Sequence, residues 1–341
     1  MSYKCRLVNP SSDQEIIEKL WYRNMKQGSP RSRFIWLYED SKPVTEVNSW
    51  LVFQNDMPCG CLSILKRDFA YKGQKISGGI AIDIVVDKAH RTIFPAITLL
   101  RTAIEGARNL GLQVLLVFPN EKAQPVFSRC GFQKICKPER FSKIINYQSK
   151  LTGYLNNNFI RIILSKIIVF SERALLASIN GVPFRKIIEV PNSLAVEDTS
   201  IGSYNGSDQF YTVKSQDYYV WRYGKNPIKT YQYFSIKLNS NAGSVVYYLE
   251  SGTAVIEDIY YSDPKVVGLL LYKFGRYLGH AQIDSISFGV SIVSHLKHQL
   301  VRAGFFKRMN NRYLLGIDLS STGLMEAIKD NIVVYDGDMD I

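Results

Sequence analysis

Three residues around a β-branched run could do chemistry on a carbonyl or a phosphate. Asp83 is the only carboxylate within residues 80–86, and it could take a proton from an attacking amine or hydroxyl, or orient that group. His90 and Arg91 follow the run; the histidine could contact phosphate or act as a base, and the arginine could contact phosphate. Structural roles stay open for all three: an edge aspartate paired with a lysine, a surface histidine and a solvated arginine.

The elements that must position these residues are predicted as strand, turn, helix, strand and helix. Residues 80–86 predict a buried strand, and apolar residues at steps of three and four over 93–107 predict a helix. Residues 113–118 predict a second strand, and 120–131 a second helix. A tight turn from strand to helix directs backbone N–H groups outward at the positive end of the helix dipole, which suits a pyrophosphate.

This order resembles the acyl-coenzyme A core of the GNAT acetyltransferase superfamily. In that family the strand is followed by Arg or Gln, two residues, Gly, one residue and then Gly or Ala, and the loop cradles the pyrophosphate of coenzyme A. Arg91 and Ala96 match, whereas Phe94 stands at the middle glycine position. The resemblance implies binding of acetyl-CoA or another acyl-CoA by six consecutive residues: Arg91, Thr92, Ile93, Phe94, Pro95 and Ala96.

The second half of the family pattern is also present. Asn120, Ala123, Gly131 and Phe132 stand at the family's spacing, and Phe127 replaces its tyrosine. In the family that tyrosine often protonates the departing thiolate, but a thiol with a pKa of about 8.5 leaves tolerably without help. The resemblance implies that Asn120 bonds the pantetheine arm, although capping of its own helix would explain the same residue.

The resemblance also places the reacting carbonyl on the strand before the turn. In the family, backbone N–H groups of this strand hold the thioester oxygen as it becomes an oxyanion, here by position those of Ile84, Val85 and Val86. Asp83 and His90 are then the candidate catalytic residues, and no covalent enzyme intermediate is needed.

The last third of the chain repeats the first. Residues 220–223, Val-Trp-Arg-Tyr, echo residues 35–38, Ile-Trp-Leu-Tyr, and each is followed by predicted strands, a helix, a strand and a helix that ends at Gly-Phe. We therefore expect an α/β (α+β) fold of tandem GNAT-like mixed sheets flanked by helices. The expected parts are a GNAT-like acyl-CoA-binding domain at 1–145, a basic helical connector and linker at 146–207, and a degenerate GNAT-like domain at 208–341.

The second copy departs from the cofactor pattern. The Arg-x-x-Gly signature is absent, and Val293 and Leu300 stand where the first copy has its asparagine and phenylalanine. Glu257 and Asp258 lie on the strand equivalent to that of the first copy's aspartate, so a carboxylate pair facing the cleft between the copies is predicted. We expect this copy to shape a substrate cleft.

Composition limits the class of protein. The chain has 341 residues and 46% hydrophobic residues, which fits two globular domains. It has no uncharged apolar run of 18 residues and no apolar signal-peptide core at the N-terminus, so a cytoplasmic protein is expected. Five cysteines without a CxxC pair, and the pair His295 and His298 without a third ligand type, predict neither a disulfide framework nor a metal site.

The net charge of +12 is unevenly distributed along the chain. Residues 133–190 contain ten Lys or Arg against three Glu, a net charge of +7. Such a segment favours polyanions, an acidic membrane surface or a phosphorylated substrate, although a solvated connector explains it equally well. Amphipathic helices over 147–188 could contact a membrane surface, but packing between the domains is preferred. Without a recognition motif, nucleic acid is not an expected partner, and the oligomeric state stays open.

Three functions follow from these features. The first is an acyl-CoA-dependent N- or O-acyltransferase in which an amine or hydroxyl attacks the thioester directly; its acceptor would be an amino sugar, a nucleotide sugar or a surface-glycan precursor, with phosphate suggested by the basic connector. The second is a tandem protein resembling the Fem peptidyltransferases, which use aminoacyl-tRNA. The third is an inactive scaffold in which Phe94 closes the cofactor cradle.

Overall fold

The structure is a computed structural model that describes residues 3–25, 28–152, 155, 157–179, 188–191, 208–238, 241–281, 283–291, 294–329 and 331–339. Two mixed sheets, each flanked by helices, make up the fold, as predicted. The predicted linker at 192–207 and Val293 lie outside the described residues. The predicted boundaries at 145 and 207 stay predictions.

The first half of the chain alternates strands and helices. Its elements are β1 (Tyr3–Leu7), α1 (Pro10–Asn24), α2 (Pro30–Tyr38), β2 (Val47–Gln54), β3 (Met57–Tyr71), β4 (Gln74–Val86), a 3₁₀ turn (Lys88–His90), α3 (Ile93–Asn109), β5 (Val114–Val117), α4 (Gln124–Arg129), β6 (Gln133–Cys136), β7 (Glu139–Ile144), α5 (Gln148–Leu151) and α6 (Asn158–Ile179). The predicted strand, helix, strand and helix over residues 80–131 are all present.

The second half repeats much of this order. Its elements are β8 (Ile188–Pro191), β9 (Phe210–Thr212), α7 (Gln216–Tyr219) followed by a π-helical turn (Val220–Gly224), β10 (Gln232–Leu238), β11 (Asn241–Glu250), β12 (Thr253–Tyr261), α8 (Pro264–His280), β13 (Ser285–Val290), α9 (Ser294–Arg302), β14 (Phe306–Arg308), β15 (Leu314–Asp318), α10 (Leu324–Ile328), β16 (Ile332–Val333) and α11 (Asp336–Met339).

Helix α3 shows how the apolar pattern fixes the packing. Leu99, Leu100 and Ala103 lie on one face of the helix and are buried against the first sheet. Gly106 lets the helix approach closely, since a Cβ at this position would lie 2.3 Å from the ring of Trp50. This packing fixes the position of the helix N-terminus next to the end of β4.

The two sheets have the same strand order because each donates a strand to the other. The first runs β1-β2-β3-β4-β5-β15-β6, with β9 also pairing with β3 and β16 with β9, and the second runs β8-β10-β11-β12-β13-β7-β14. In the first sheet, β15 lies antiparallel between β5 and β6. In the second sheet, β7 lies antiparallel between β13 and β14. Strand β7 thus joins the second sheet, although its residues fall within the predicted first domain at 1–145.

A reciprocal tryptophan contact joins the two lobes of the molecule, where the first lobe is the part built on the first sheet and the second lobe the part built on the second sheet. The Nε1–H of Trp36 donates to the carbonyl of Trp221 at 2.9 Å, and the Nε1–H of Trp221 donates to the carbonyl of Trp36 at the same distance. Their rings are stacked, with centroids 5.0 Å apart. The internal repeat noticed in the sequence thus has a structural counterpart: both tryptophans make the same contact across an approximate twofold axis.

Helix α6 belongs to the connector and leaves much apolar surface uncovered. The expectation that this segment is buried between the domains does not hold, because Phe159 and Phe170 are 71% and 75% exposed. Among the described residues, the helices are all too short or too polar to cross a bilayer.

Candidate functional site

A wedge-shaped cavity opens where two parallel strands of the first sheet separate. Strands β4 and β5 pair only over residues 78–80 and 114–116. Beyond that point they diverge and leave a cavity of about 650 Å³. One wall is formed by residues 81–86 of β4 and the other by Val117, Phe118, Pro119 and Asn120. Among the described residues, the strand edge of residues 81–86 that faces the cavity therefore has no strand partner.

A bulge in β4 shapes this wall. Ser63 pairs with Ile82 and Cys61 with Val85, so Leu62 alone lies opposite two residues, Asp83 and Ile84. Asp83 adopts a left-handed backbone conformation with φ of +52°. Aspartate tolerates this region better than most side chains do. Ile84, Val85 and Val86, the residues predicted to meet the thioester, all line the cavity.

Asp83 is held by a buried arginine. Nη2 of Arg33 donates to Oδ1 at 2.6 Å and Nε donates to Oδ2 at 3.2 Å, and the two side chains are 2% and 4% exposed. The partner expected from the sequence was a neighbouring lysine, whereas the actual partner comes from α2. Because both carboxylate oxygens are engaged, the arrangement suits a residue that fixes the bulge better than a free base.

His90 lies apart from Asp83. His90 is the last residue of the 3₁₀ turn, and its Nδ1 is 2.6 Å from Oε1 of Gln54. His90 is not among the residues that line the cavity. The structure therefore does not bring the two predicted catalytic residues together. The role of His90 as a base stays a prediction without geometric support.

The predicted binding site for the diphosphate of coenzyme A lies at the N-terminus of α3. Arg91 and Ala96 line the cavity, and the guanidinium of Arg91 donates to the carbonyl of Val86 and to Oδ1 of Asn24, both at 3.3 Å. Thr92 is the N-cap residue, and its side chain makes no capping bond. The first N–H groups of a helix have no partner within the helix, so they can donate hydrogen bonds to an anion here.

Phe94 does not close this cradle. Its side chain is 67% exposed and lies outside the cavity lining, because it projects from the first turn of α3 toward solvent. Thr92, Ile93 and Pro95 likewise contribute no lining side chain, so of the six predicted loop residues only Arg91 and Ala96 face the cavity. The expectation that Phe94 blocks the loop is wrong.

The opposite wall carries the second part of the predicted motif. Oδ1 of Asn120 accepts the backbone N–H of Ala123 at 2.9 Å, so the asparagine does cap the turn before α4, yet it also lines the cavity. Phe127 is fully buried, packs edge-on against Phe132 and forms part of the same wall. A tyrosine hydroxyl is thus replaced by apolar surface.

The second lobe, which the sequence predicts to shape a substrate cleft, supplies a wall of the same cavity. The contributing residues are Arg222, Asn226, Ile228, Lys229 and Tyr231. Burial, with Glu257 nearby, raises the pKa of Tyr231 to about 12. Tyr231 thus keeps its proton near neutral pH and can act as a hydrogen-bond donor where the first lobe lacks one. In the sequence, the aromatic repeat at 220–223 and the predicted cleft between the copies pointed to this region, but neither identified these five residues as lining it.

A second, polar cavity of about 540 Å³ lies on the second sheet. Lys229 lines both cavities, so the two meet at this residue. The other lining side chains of the polar cavity are Arg140, Ser142, Tyr248, Glu250, Ser251, Thr253, Val255, Glu257, Ser285, Ser287, Arg308, Arg312 and Asp336. Hydroxyl groups and four cationic side chains dominate this surface. It could therefore bind a hydroxyl-rich anion.

The acidic residues of the polar cavity are mostly paired. Glu257 accepts from Nζ of Lys229 at 2.7 Å, and Asp336 lies 3.2 Å from Nη2 of Arg140. Burial raises the pKa of Asp336 to about 6 despite this arginine. Of the two carboxylates predicted to face the cleft, Glu257 lines this cavity, whereas Asp258 is fully buried and lines neither cavity.

Asp258 belongs to a buried charge network and not to a cavity. Nζ of Lys214 lies 2.8 Å from Asp258 and 2.9 Å from Asp338, and the hydroxyl of Tyr223 donates to Asp258 at 2.9 Å. These groups fix α11 and the start of the second lobe against β12. In the part of the chain that the structure describes, no group of His, Cys, Asp or Glu side chains could hold a metal, and all five cysteines are free.

The paired lobes, the exchanged strands and the wedge between β4 and β5 define the fold of the GCN5-related N-acetyltransferases in a tandem arrangement, and the predicted fold is confirmed. A GCN5-related N-acetyltransferase from Anabaena variabilis superposes with a TM-score of 0.63 at 10% identity, covering 94% of this chain and 73% of that one. One from Kribbella flavida gives 0.62 at 12% identity, covering 92% and 71%. A tandem GNAT protein from the clavulanic acid biosynthesis pathway gives 0.51 at 11% identity, covering 94% and 100%.

Identities this low establish the fold alone. No protein-family model and no curated protein sequence matches the chain.

Proposed function

We propose that the protein is an acyl-CoA-dependent acyltransferase whose cofactor lies in the wedge between β4 and β5. The observation that carries this proposal is the joint geometry of the separated strands, the bulge at Asp83 and the free N-terminus of α3. The outward position of Phe94 supports it, because the cradle is open to a diphosphate.

The lining residues fit the parts of an acyl-CoA. Arg91 and the first N–H groups of α3 would hold the diphosphate, and Asn120 would hold the pantetheine arm. The unpaired backbone edge at Ile84 to Val86 would donate to the thioester oxygen as it gains charge. When bound, acetyl-CoA or another acyl-CoA supplies an activated acyl group. The Tyr231 hydroxyl, which lines the same cavity, would donate a hydrogen bond to the leaving thiolate.

The polar cavity is the proposed acceptor site. Its serine and threonine hydroxyls suit a hydroxyl-rich molecule, and Arg140, Arg308 and Arg312 suit a phosphate or carboxylate. Lys229 marks the point where the acceptor would meet the acyl group. These features support an amino sugar, a nucleotide sugar or a surface-glycan precursor, with phosphate suggested by the basic lining, as the acceptor that attacks through its amine or hydroxyl. A cytoplasmic location is part of the proposal and does not follow from the cavity.

Calorimetric titration with coenzyme A tests the cofactor. We expect a Kd in the micromolar range and competition by acetyl-CoA, with AMP as a control for adenine binding alone. Absence of binding would overturn the proposal. Acetyl transfer to glucosamine 6-phosphate, compared with glucosamine, tests the acceptor class separately, and Arg308→Gln should raise KM for the phosphorylated acceptor only.

An aminoacyl-tRNA donor is the second candidate. The observation that favours it is the net charge of +7 over residues 133–190, which suits a polyanion. Retention of charged tRNA on a filter, without binding of coenzyme A, would favour this donor. The inactive-scaffold hypothesis loses its basis, because Phe94 leaves the cradle open.

A further inference from the structure

Helix α6 presents a broad apolar face to solvent. Its exposed large apolar side chains are Phe159, Ile160, Ile163, Leu164, Ile167, Ile168, Phe170 and Leu175. At 3.6 residues per turn these eight positions fall within one half of the helix circumference. A contiguous face of this kind is rare on the surface of a protein that acts alone in water.

Contacts on the opposite half fix which way this face points. Glu172 accepts from the hydroxyl of Tyr147 at 3.1 Å and lies 3.5 Å from Nζ of Lys143, which is a buried residue of β7. Ser165 is buried on the same side. The half of the helix that carries Ser165 and Glu172 thus faces the second lobe, and the exposed apolar half is directed outward.

The charges on α6 complement an anionic surface. Arg161 and Lys166 lie just beyond the two edges of the apolar half, where long cationic side chains can reach lipid headgroups while the apolar residues enter the acyl region. Glu172 is the only acidic residue of the helix, and it is turned inward. No carboxylate of α6 therefore opposes a negatively charged partner.

We propose that α6 docks the protein on an anionic membrane surface, lying parallel to it. A second copy of the same helix fits less well, because it would offer Arg161 and Lys166 no exposed carboxylate, whereas lipid phosphates pair with both. The net charge of +7 over residues 133–190 adds long-range attraction to the same surface. This inference does not depend on the proposed acyltransferase activity.

Sedimentation with vesicles tests the docking. The full chain should bind vesicles of phosphatidylcholine and phosphatidylglycerol, bind those of phosphatidylcholine alone much more weakly, and detach as salt is raised, because the Debye length shortens. The double variant Phe159→Ser/Phe170→Ser should lower the partition coefficient about tenfold or more, since two large apolar side chains no longer enter the membrane. Lys166→Glu should weaken binding to anionic vesicles only.

Met309→Ser is the matched control, because Met309 is 91% exposed and lies outside α6, so its loss should not change binding. Circular dichroism and light scattering accompany each variant. Failure of the wild-type protein to bind anionic vesicles would overturn the proposal. A dimer that becomes monomeric in the Phe159→Ser/Phe170→Ser variant would overturn it as well, and would assign the face to self-association.

Discussion

Among single side chains, Arg91 has the clearest expected effect on cofactor affinity. Its guanidinium lies at the N-terminus of α3 and lines the wedge. Arg91→Ala should weaken binding of coenzyme A by about 1 to 3 kcal/mol, the loss expected for a charged hydrogen bond. Calorimetry measures the change, and Lys88→Ala is the matched control, because Lys88 is exposed nearby but outside the cavity lining. An unchanged affinity would remove Arg91 from the site.

Asp83 is expected to act on stability. Asp83→Asn keeps a side chain that tolerates a φ of +52° but leaves the guanidinium of Arg33 buried without its carboxylate. We expect a loss of about 3 to 5 kcal/mol in the free energy of unfolding, measured by urea denaturation. Arg33→Met in the same chain should recover much of it. A stable Asp83→Asn variant with abolished activity would instead support the predicted role as a base.

Tyr231 is expected to stabilise the leaving thiolate by donating a hydrogen bond to it. Burial raises its pKa to about 12, so it stays protonated as the pH rises through the neutral range and only begins to lose its proton well above pH 10. Tyr231→Phe should lower kcat about ten- to hundredfold without changing coenzyme A affinity. The assay is thiol release from acetyl-CoA with glucosamine 6-phosphate or water as acceptor. Tyr233→Phe, two residues further along the chain and outside the lining, should leave the rate unchanged.

Local sequence patterns predicted the helices and strands, whereas contacts between residues or strands far apart in the chain could not be predicted from the sequence. The β-branched run before Asp87 and the apolar spacing of α3 are local signals, and both elements are present. The partner of Asp83 lies 50 residues earlier in the sequence, and nothing local identifies it. Strands β7 and β15 are both short runs between loops, and the sequence of neither shows which sheet it joins. The strand exchange was therefore missed.

Strand β15 is expected to support the first lobe although it lies late in the sequence. Gly316 pairs with Leu116, and a Cβ at this position would lie 2.4 Å from Ile135 and 2.8 Å from Met325. Gly316→Val should cost about 1 to 3 kcal/mol of stability and weaken coenzyme A binding. Gly224→Ala is the control, since a Cβ there meets no atom within 4 Å. Loss of stability without loss of cofactor binding would contradict this link.

The whole molecule combines two similar lobes with different tasks. Both central strands, β4 and β12, carry a bulge with an acidic residue, and each acid has a basic partner: Arg33 for Asp83 and Lys229 for Glu257. Only the first lobe has the wedge that fits the cofactor, and the second supplies the polar cavity. Because Lys229 lines both cavities, their relative position depends on the contact between the lobes.

The tryptophan pair is expected to hold that contact. Trp36→Phe and Trp221→Phe each remove an indole donor and leave a buried carbonyl unpaired, so each should cost about 1 to 3 kcal/mol. Because the rings also stack, the double variant should depart from the sum of the single losses by about 0.5 kcal/mol or more in urea denaturation. Trp50 lies in a different core cluster from Trp36, so the losses of stability caused by Trp36→Phe and Trp50→Phe should add in the double variant. Additivity of the first pair would show that the reciprocal contact does not couple the lobes.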